Sequence, residues 1–128
     1  MKVLDASVMV DVLLATPRAA RAIEHLDDDL FAPESLITEV HRVLQRAHRA
    51  GELTRRQVDT VAQVLHDSPI EFVPAWNMAD LMWSWGDTIS AFDAPYVAVA
   101  LRLGCPLLTA DLRLARAARR LVEVIDVR

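Results

Sequence analysis

Four acidic residues, Asp5, Glu39, Asp93 and Asp111, stand at positions where a carboxylate could do chemistry. Asp5 ends the apolar run Val3-Leu4, and Asp111 follows the apolar run Leu107-Leu108-Thr109. Asp93 lies two residues before Pro95, at the start of an Ala/Val-rich helical pattern. Glu39 falls at the edge of an apolar helix face, between Leu36 and Val43. Each has a local explanation. An Asp at a helix start is a cap worth about 1 kcal/mol. Ser90-Ala91-Phe92-Asp93 also reads as a capping box, and Glu39 can pair with Arg42 or Arg46 further along its helix. As a set they say more. Open parallel sheets bind ligands at the carboxyl ends of their strands. If the four acids meet there, each close pair repels by about 3–4 kcal/mol at roughly 4–5 Å and an effective dielectric of about 20. Caps do not offset several such pairs. Three outcomes stay open: the acids do not converge, some are protonated, or a divalent cation sits among them. Oxygen-only ligation suits Mg2+ or Mn2+, ions that activate water and stabilise charge on a phosphodiester.

The elements that must position these acids can be taken in order. The pattern predicts a buried strand at Lys2–Leu4 turning into a helix at Asp5–Ala6, and a second helix from Pro17 to about Leu26. The run Asp27-Asp28-Asp29 reads as a solvated loop, and Leu30-Phe31-Ala32 as a second strand. From Glu34 to about Ala50, Leu36, Ile37, Val40, Val43, Leu44 and Ala47 make one apolar helix face, stopped by Gly51. Thr54 caps a helix carrying Val58, Val61, Ala62 and Leu65. Ile70–Val73 is a third strand, and Trp76–Trp85 a helix with two apolar stripes, one of them Trp76, Ala79 and Trp83. That is more apolar surface than one core-facing stripe needs, so one side is expected to meet another chain. A helix starting at Ser90 or Asp93 ends at Gly104 and Pro106. A strand at Leu107–Thr109, a helix at Leu112–Leu121 and a strand at Val122–Ile125 complete the chain. Short strands alternating with helices imply an α/β three-layer sandwich around a short, mostly parallel five-stranded sheet.

The 128 residues suit a single domain, spanning residues 1–128, with a core of its own. No apolar run is long enough to span a bilayer, and the amino terminus does not read as a signal peptide. The only cysteine, Cys105, lies in an apolar stretch, which excludes an internal disulfide and points to a cytoplasmic setting and a buried thiol. The net charge of −4 argues against coating nucleic acid by bulk charge, but not against local basic patches. Lys2 is the only lysine; the other 13 of the 14 basic residues are arginines. Arg42, Arg46 and Arg49 share a helix flank with Glu39, and Arg113, Arg116 and Arg120 form a stripe after Asp111; either could hold an RNA backbone, or be solvated faces with weak ion pairs. No His/Cys set has zinc-ligand spacing, and His41 points away from Glu39.

In order and spacing, VLDASVMVD (Val3–Asp11), APESLITEV (Ala32–Val40), SAFDAPYVAVA (Ser90–Ala100) and LLTADLRLARA (Leu107–Ala117) resemble the PIN-domain ribonucleases, and within them the VapC-like toxins of bacterial toxin–antitoxin pairs. The resemblance covers essentially the whole chain. It implies a metal-dependent endoribonuclease with a PIN-like fold, strand one central in its sheet. Asp5, Glu39, Asp93 and Asp111 would be the acidic, metal-binding set for Mg2+ or Mn2+, with Ser7 and Thr109 at the small hydroxyl positions beside it. It also implies a homodimer and a cognate antitoxin as partner, with RNA as substrate; among the arginines Arg46 is the first candidate for RNA contact. The chain departs from many relatives in carrying Arg42, not Asn, three residues after the Glu. Two other classes compete. A receiver-like domain would need a lysine after a late strand, and none exists; a haloacid-dehalogenase-like phosphatase would want a second Asp where Ser7 stands. A non-catalytic PIN-like binding module and a housekeeping RNA-processing nuclease remain as alternatives.

Overall fold

The computed structural model describes residues Met1–Arg128. Its centre is β1 (Lys2–Leu4), flanked by β2 (Leu30–Pro33) on one side and β4 (Leu107–Thr109) on the other; β3 (Ile70–Val73) and β5 (Val124–Asp126) form the edges, in the order β3-β2-β1-β4-β5. Every pairing is parallel: Val3 lies opposite Phe31 and Leu107, Ala32 opposite Phe72, and Leu108 opposite Ile125. A strand covered on both faces must be apolar throughout, and Val3, Leu4, Leu107 and Leu108 are fully buried.

Seven helices cover the sheet. Four of them, α1 (Ala6–Leu13), α2 (Ala19–Ile23), α3 (Ser35–Arg49) and α4 (Arg55–Asp67), pack on one another, while α6 (Ala94–Leu103) lies against β1, β2 and β4 and carries α5 (Ala79–Ser84). The last, α7 (Leu112–Ala118), packs on β4 and β5. Leu36, Val40, Leu44 and Ala47 are the buried face of α3, with Ile37 and Val43 at its margins. On α6 the Ala/Val-rich sequence lets the helix sit close to the sheet, with Tyr96 through Ala100 all fully buried. Gly104 ends that helix in the left-handed conformation, at φ 63°, where a Cβ would be strained. Thr54 and Gln57 form a reciprocal capping box at the start of α4, with Thr54 N–H donating to Gln57 Oε1 at 2.8 Å and Gln57 N–H to Thr54 Oγ1 at 3.1 Å. No helix is long and apolar enough to cross a membrane.

Four boundaries differ from the sequence expectation. The helix expected from Pro17 to Leu26 is only Ala19–Ile23: Thr16 gives its hydroxyl to Asp11 instead of capping, and beyond Ile23 the chain turns through tighter bonds, His25 N–H to Ala22 O and Leu26 N–H to Ile23 O. The Trp76–Trp85 segment is not one helix but a 3-10 turn, Trp76–Met78, followed by α5. The last helix stops at Ala118, because the carbonyl of Ala118 accepts from both Leu121 and Val122 in a closing turn. That turn uses up Val122, so β5 begins at Val124.

Candidate active site

The carboxyl ends of β1 and β4 are tied together around Asp5. Asp5 follows β1 in extended conformation at the head of α1, yet its side chain caps nothing. Instead Oδ2 accepts hydrogen bonds from Ser7 Oγ at 2.5 Å and from Thr109 Oγ1 at 2.9 Å. Both hydroxyls are fixed in turn: Ala110 N–H donates to Ser7 Oγ at 3.0 Å, and Asp111 N–H to Thr109 Oγ1 at 3.0 Å. The backbone N–H of Asp5 donates to Leu108 O at 3.0 Å. Two neighbouring strand ends and both turns that follow them are thus locked on one buried carboxylate, leaving Oδ1 with no side-chain hydrogen bond.

Asp111 does what its position at a helix start suggests. Its Oδ1 accepts from Arg113 N–H at 2.8 Å and Leu114 N–H at 3.2 Å, capping α7 and leaving Oδ2 unengaged. Asp93 heads α6 without capping it; its backbone N–H donates to Ser90 Oγ at 3.2 Å, and its Oδ2 accepts from Arg113 Nη2 at 3.3 Å. Glu39, on the middle of α3, is half-buried, and its Oε1 is buried with no hydrogen-bond partner. Two more unpartnered buried oxygens, Tyr96 Oη on α6 and Ser35 Oγ on α3, belong to the same neighbourhood.

All four acids line one pocket of about 480 Å³, together with Ser7, Asp11, Arg18, Arg42, Arg46 and Arg113. Thr109 lies beneath it, fully buried. Arg49 is outside, and Arg116 and Arg120 line a neighbouring hollow with Asp111 and Trp85. His41 points away, bonded to Ile37 O. The acids act on one another. Burial, then the hydroxyls working against it and Asp93 adding to it, holds Asp5 above the usual carboxylate range. Burial and the charge of Asp5 push Glu39 up to about 7, with Tyr96 and Arg42 opposing. Asp93 is raised by burial and by Asp111, against Ser90 and Arg113. Tyr96 is driven upward by burial and by Glu39 and Asp5, which keeps it a neutral donor. The acids therefore line one common space, and Asp5, Glu39 and Asp93 are each held above the ordinary carboxylate range by burial and by a neighbouring acid.

A hard divalent cation fits this donor set. Every acid is an oxygen donor, with no thiol or imidazole among them. Asp5 Oδ1, Asp111 Oδ2 and Glu39 Oε1 are acceptors with no hydrogen bond. The carboxylates face a common space without closing into a tight cage of three or more.

The sequence pattern missed two residues here. Tyr96 is the only tyrosine in the chain, set three residues after Asp93 in a helix that is otherwise Ala, Val and Leu apart from Pro95 and Arg102, and that isolation was the available signal. Asp11 follows Ser7 by four residues on a mostly apolar helix, hence on the same face. Arg42, three residues after Glu39, acts on it as a charge from the pocket wall.

Comparison with known proteins gives one consistent result. The PIN domain family model matches residues 2–120. Ribonuclease VapC3 of Mycobacterium tuberculosis is 38% identical over 117 residues, covering 90% of this chain and 85% of the relative. Ribonuclease VapC1 of the same organism is 32% identical over 120 residues, covering 90% and 89%. Among solved structures, PAE2754 from Pyrobaculum aerophilum superposes with a TM-score of 0.70 at 20% identity, covering 98% of this chain and 90% of that one, which speaks for the fold alone. On the sequence, the sheet order and the pocket together, this chain belongs to the PIN-domain family and, within it, to the VapC ribonucleases.

Proposed function

We propose that the protein is a metal-dependent endoribonuclease that hydrolyses RNA phosphodiester bonds as the toxin of a toxin–antitoxin module. The observation that carries this reading is the pocket in which Asp5, Glu39, Asp93 and Asp111 meet with unpaired carboxylate oxygens and arginines around them. It agrees with the ribonuclease names of relatives that match most of the chain.

In this reading Asp5, Asp93 and Asp111 would hold Mg2+ or Mn2+, and Glu39 would be either a further ligand or the group that orients or deprotonates water. The ion, when bound, supplies charge stabilisation at the phosphodiester and a more acidic water. Ser7 and Thr109 keep Asp5 in one orientation, so little reorganisation is needed when charge arrives. Where Glu39 is not itself a ligand, it would accept the proton of the attacking water as that water's oxygen bonds to phosphorus and the bond to the leaving oxygen breaks. The leaving oxygen takes its proton from solvent. Arg46, with Arg42, holds the RNA backbone at the α3 wall.

A cytoplasmic setting, where RNA is at hand, and two protein partners complete the reading. A cognate antitoxin is the partner that the VapC-like resemblance implies. A second copy of the chain is expected on the face of Trp76 and Trp83, which are 80% and 87% exposed. Purified protein should cut single-stranded RNA with Mg2+ or Mn2+ and stop with chelator; RNA left intact with either ion present would refute the proposal. Trp83→Ala should leave thermal stability within about 0.5 kcal/mol and shift the mass measured by light scattering toward the monomer.

A further inference from the structure

Four arginines stand around the acidic pocket, and they are held in different ways. Arg42 and Arg46 on α3 make no ion pair with a carboxylate in the chain, while Arg113 pairs with Asp93, one of the four acids. Arg18 lies in the turn between α1 and α2 and pairs with an acid outside that set. Its Nε lies 3.1 Å from Asp11 Oδ2, and its Nη2 donates to Asp11 Oδ1 at 3.1 Å. Asp11 is 1% exposed, and Thr16 Oγ1 donates to its Oδ1 at 2.7 Å. Ala15, at φ 50°, turns the chain so that Thr16 and Arg18 both come back to Asp11.

A buried carboxylate without a partner would be costly, so Arg18 neutralises Asp11. Neutralisation alone does not account for the arrangement, because an apolar residue at position 11 would need no counter-charge. What the pair provides is a guanidinium held by one hydrogen bond from Nη2 to Asp11 Oδ1, with Nε close to Asp11 Oδ2 but not hydrogen-bonded to it, Nη1 unpartnered and the side chain half exposed, at the wall of a pocket suited to phosphodiesters. A guanidinium fork matches phosphate geometry, and a side chain already held in one rotamer loses less freedom on binding.

We propose that Arg18, held by Asp11, is an RNA-binding residue that grips a phosphate of the strand lying across the acidic pocket. The proposal rests on the nuclease reading above and adds to it a binding contact from the α1–α2 turn. Arg18 touches substrate without taking part in proton transfer, and Asp11 is its positioning residue.

The test is binding of a short, end-labelled single-stranded RNA of mixed sequence, followed by fluorescence anisotropy across a salt series, in an Asp5→Asn background so that the strand is not cut. Arg18→Gln keeps a donor for Asp11, which protects the fold, but removes the charge. It should weaken binding about tenfold and make the slope of log Kd against log salt shallower by about 0.7, one phosphate contact on a single strand. Arg18→Lys should fall between the two. Arg55→Ala makes the same charge change outside the pocket and should leave both affinity and slope unchanged. An unchanged Kd and slope for Arg18→Gln, or an equal shift for Arg55→Ala, overturns the proposal. A folded parent protein that binds no RNA overturns the nuclease reading and this inference with it.

Discussion

Asp5 and Glu39 line the same pocket in opposite surroundings. Asp5 is gripped by two hydroxyls, each fixed by a backbone N–H from the turn after β4. Glu39 sits in a patch of unsatisfied polar atoms: its own Oε1, Tyr96 Oη and Ser35 Oγ have no hydrogen-bond partner. Burial raises both carboxyls; at Asp5 hydrogen bonds from Ser7 and Thr109 work against it, while at Glu39, pushed up to about 7, the opposing groups are Tyr96 and Arg42. The difference follows from where each stands. Asp5 lies at the junction of two adjacent parallel strands, where turn amides and small hydroxyls are dense. Glu39 projects from the middle of a helix, whose own amides are all spent within it. One wall of the pocket is finished by the fold; the other is left for a cation or a proton to finish.

The largest effect should come from the finished wall. Asp5→Asn should fold and lose RNA cleavage by roughly a hundredfold or more, as loss of several kcal/mol of charge stabilisation would cause; cleavage at the parent rate in a gel assay would remove Asp5 from the site. Thr109→Val comes next. It deletes the hydroxyl that donates to Asp5 and accepts from Asp111 N–H, both buried or nearly so. Stability by urea unfolding should fall by about 1–3 kcal/mol, and Thr109→Ser should restore much of it.

The unfinished wall should show itself through pH. Asp5, Glu39 and Asp93 are all held above the range in which they ionise in the unfolded chain, so ionising them works against the fold. The contribution of these three groups to the stability of metal-free protein should be full below the ordinary carboxylate range and be lost as pH rises toward about 7, where Glu39 ionises. Added Mn2+ should flatten that decline, as should Glu39→Gln; a Tm rising across the same interval would reverse the assignment. The smallest effect is expected for Tyr96→Phe. Its hydroxyl makes no hydrogen bond of ordinary geometry, so stability should stay within about 0.5 kcal/mol, in contrast to Thr109→Val. The pH of the decline should move upward, because the Tyr96 hydroxyl lowers Glu39.

The same contrast governs what the sequence made legible. The β1–α1 junction could be read because an apolar run, an acid and a helical pattern follow one another within Val3–Leu13. The capping of α4 by Thr54 could be read for the same local reason. Three acids at strand or helix ends and one on a helix edge were visible as a set, since a polar group among apolar neighbours stands out. The shortened α2, the broken Trp76–Trp85 segment and the shifted β5 were not visible, because their ends are decided by bonds to distant or tightly turned partners, such as Thr16 to Asp11. Tyr96 and Asp11 escaped because each lies inside a helix and not at a strand or helix end, and only packing reveals which polar atom it meets.

The order of the sheet sets a schedule for the ribosome. β1 is the first strand made, yet one of its two neighbours, β4, arrives only with residues 107–109, and the fourth carboxylate only at Asp111. For most of synthesis the central strand has a bare edge and the acids have no common space. A growing chain therefore carries no assembled pocket until β4 has paired with β1 and Asp111 has been added.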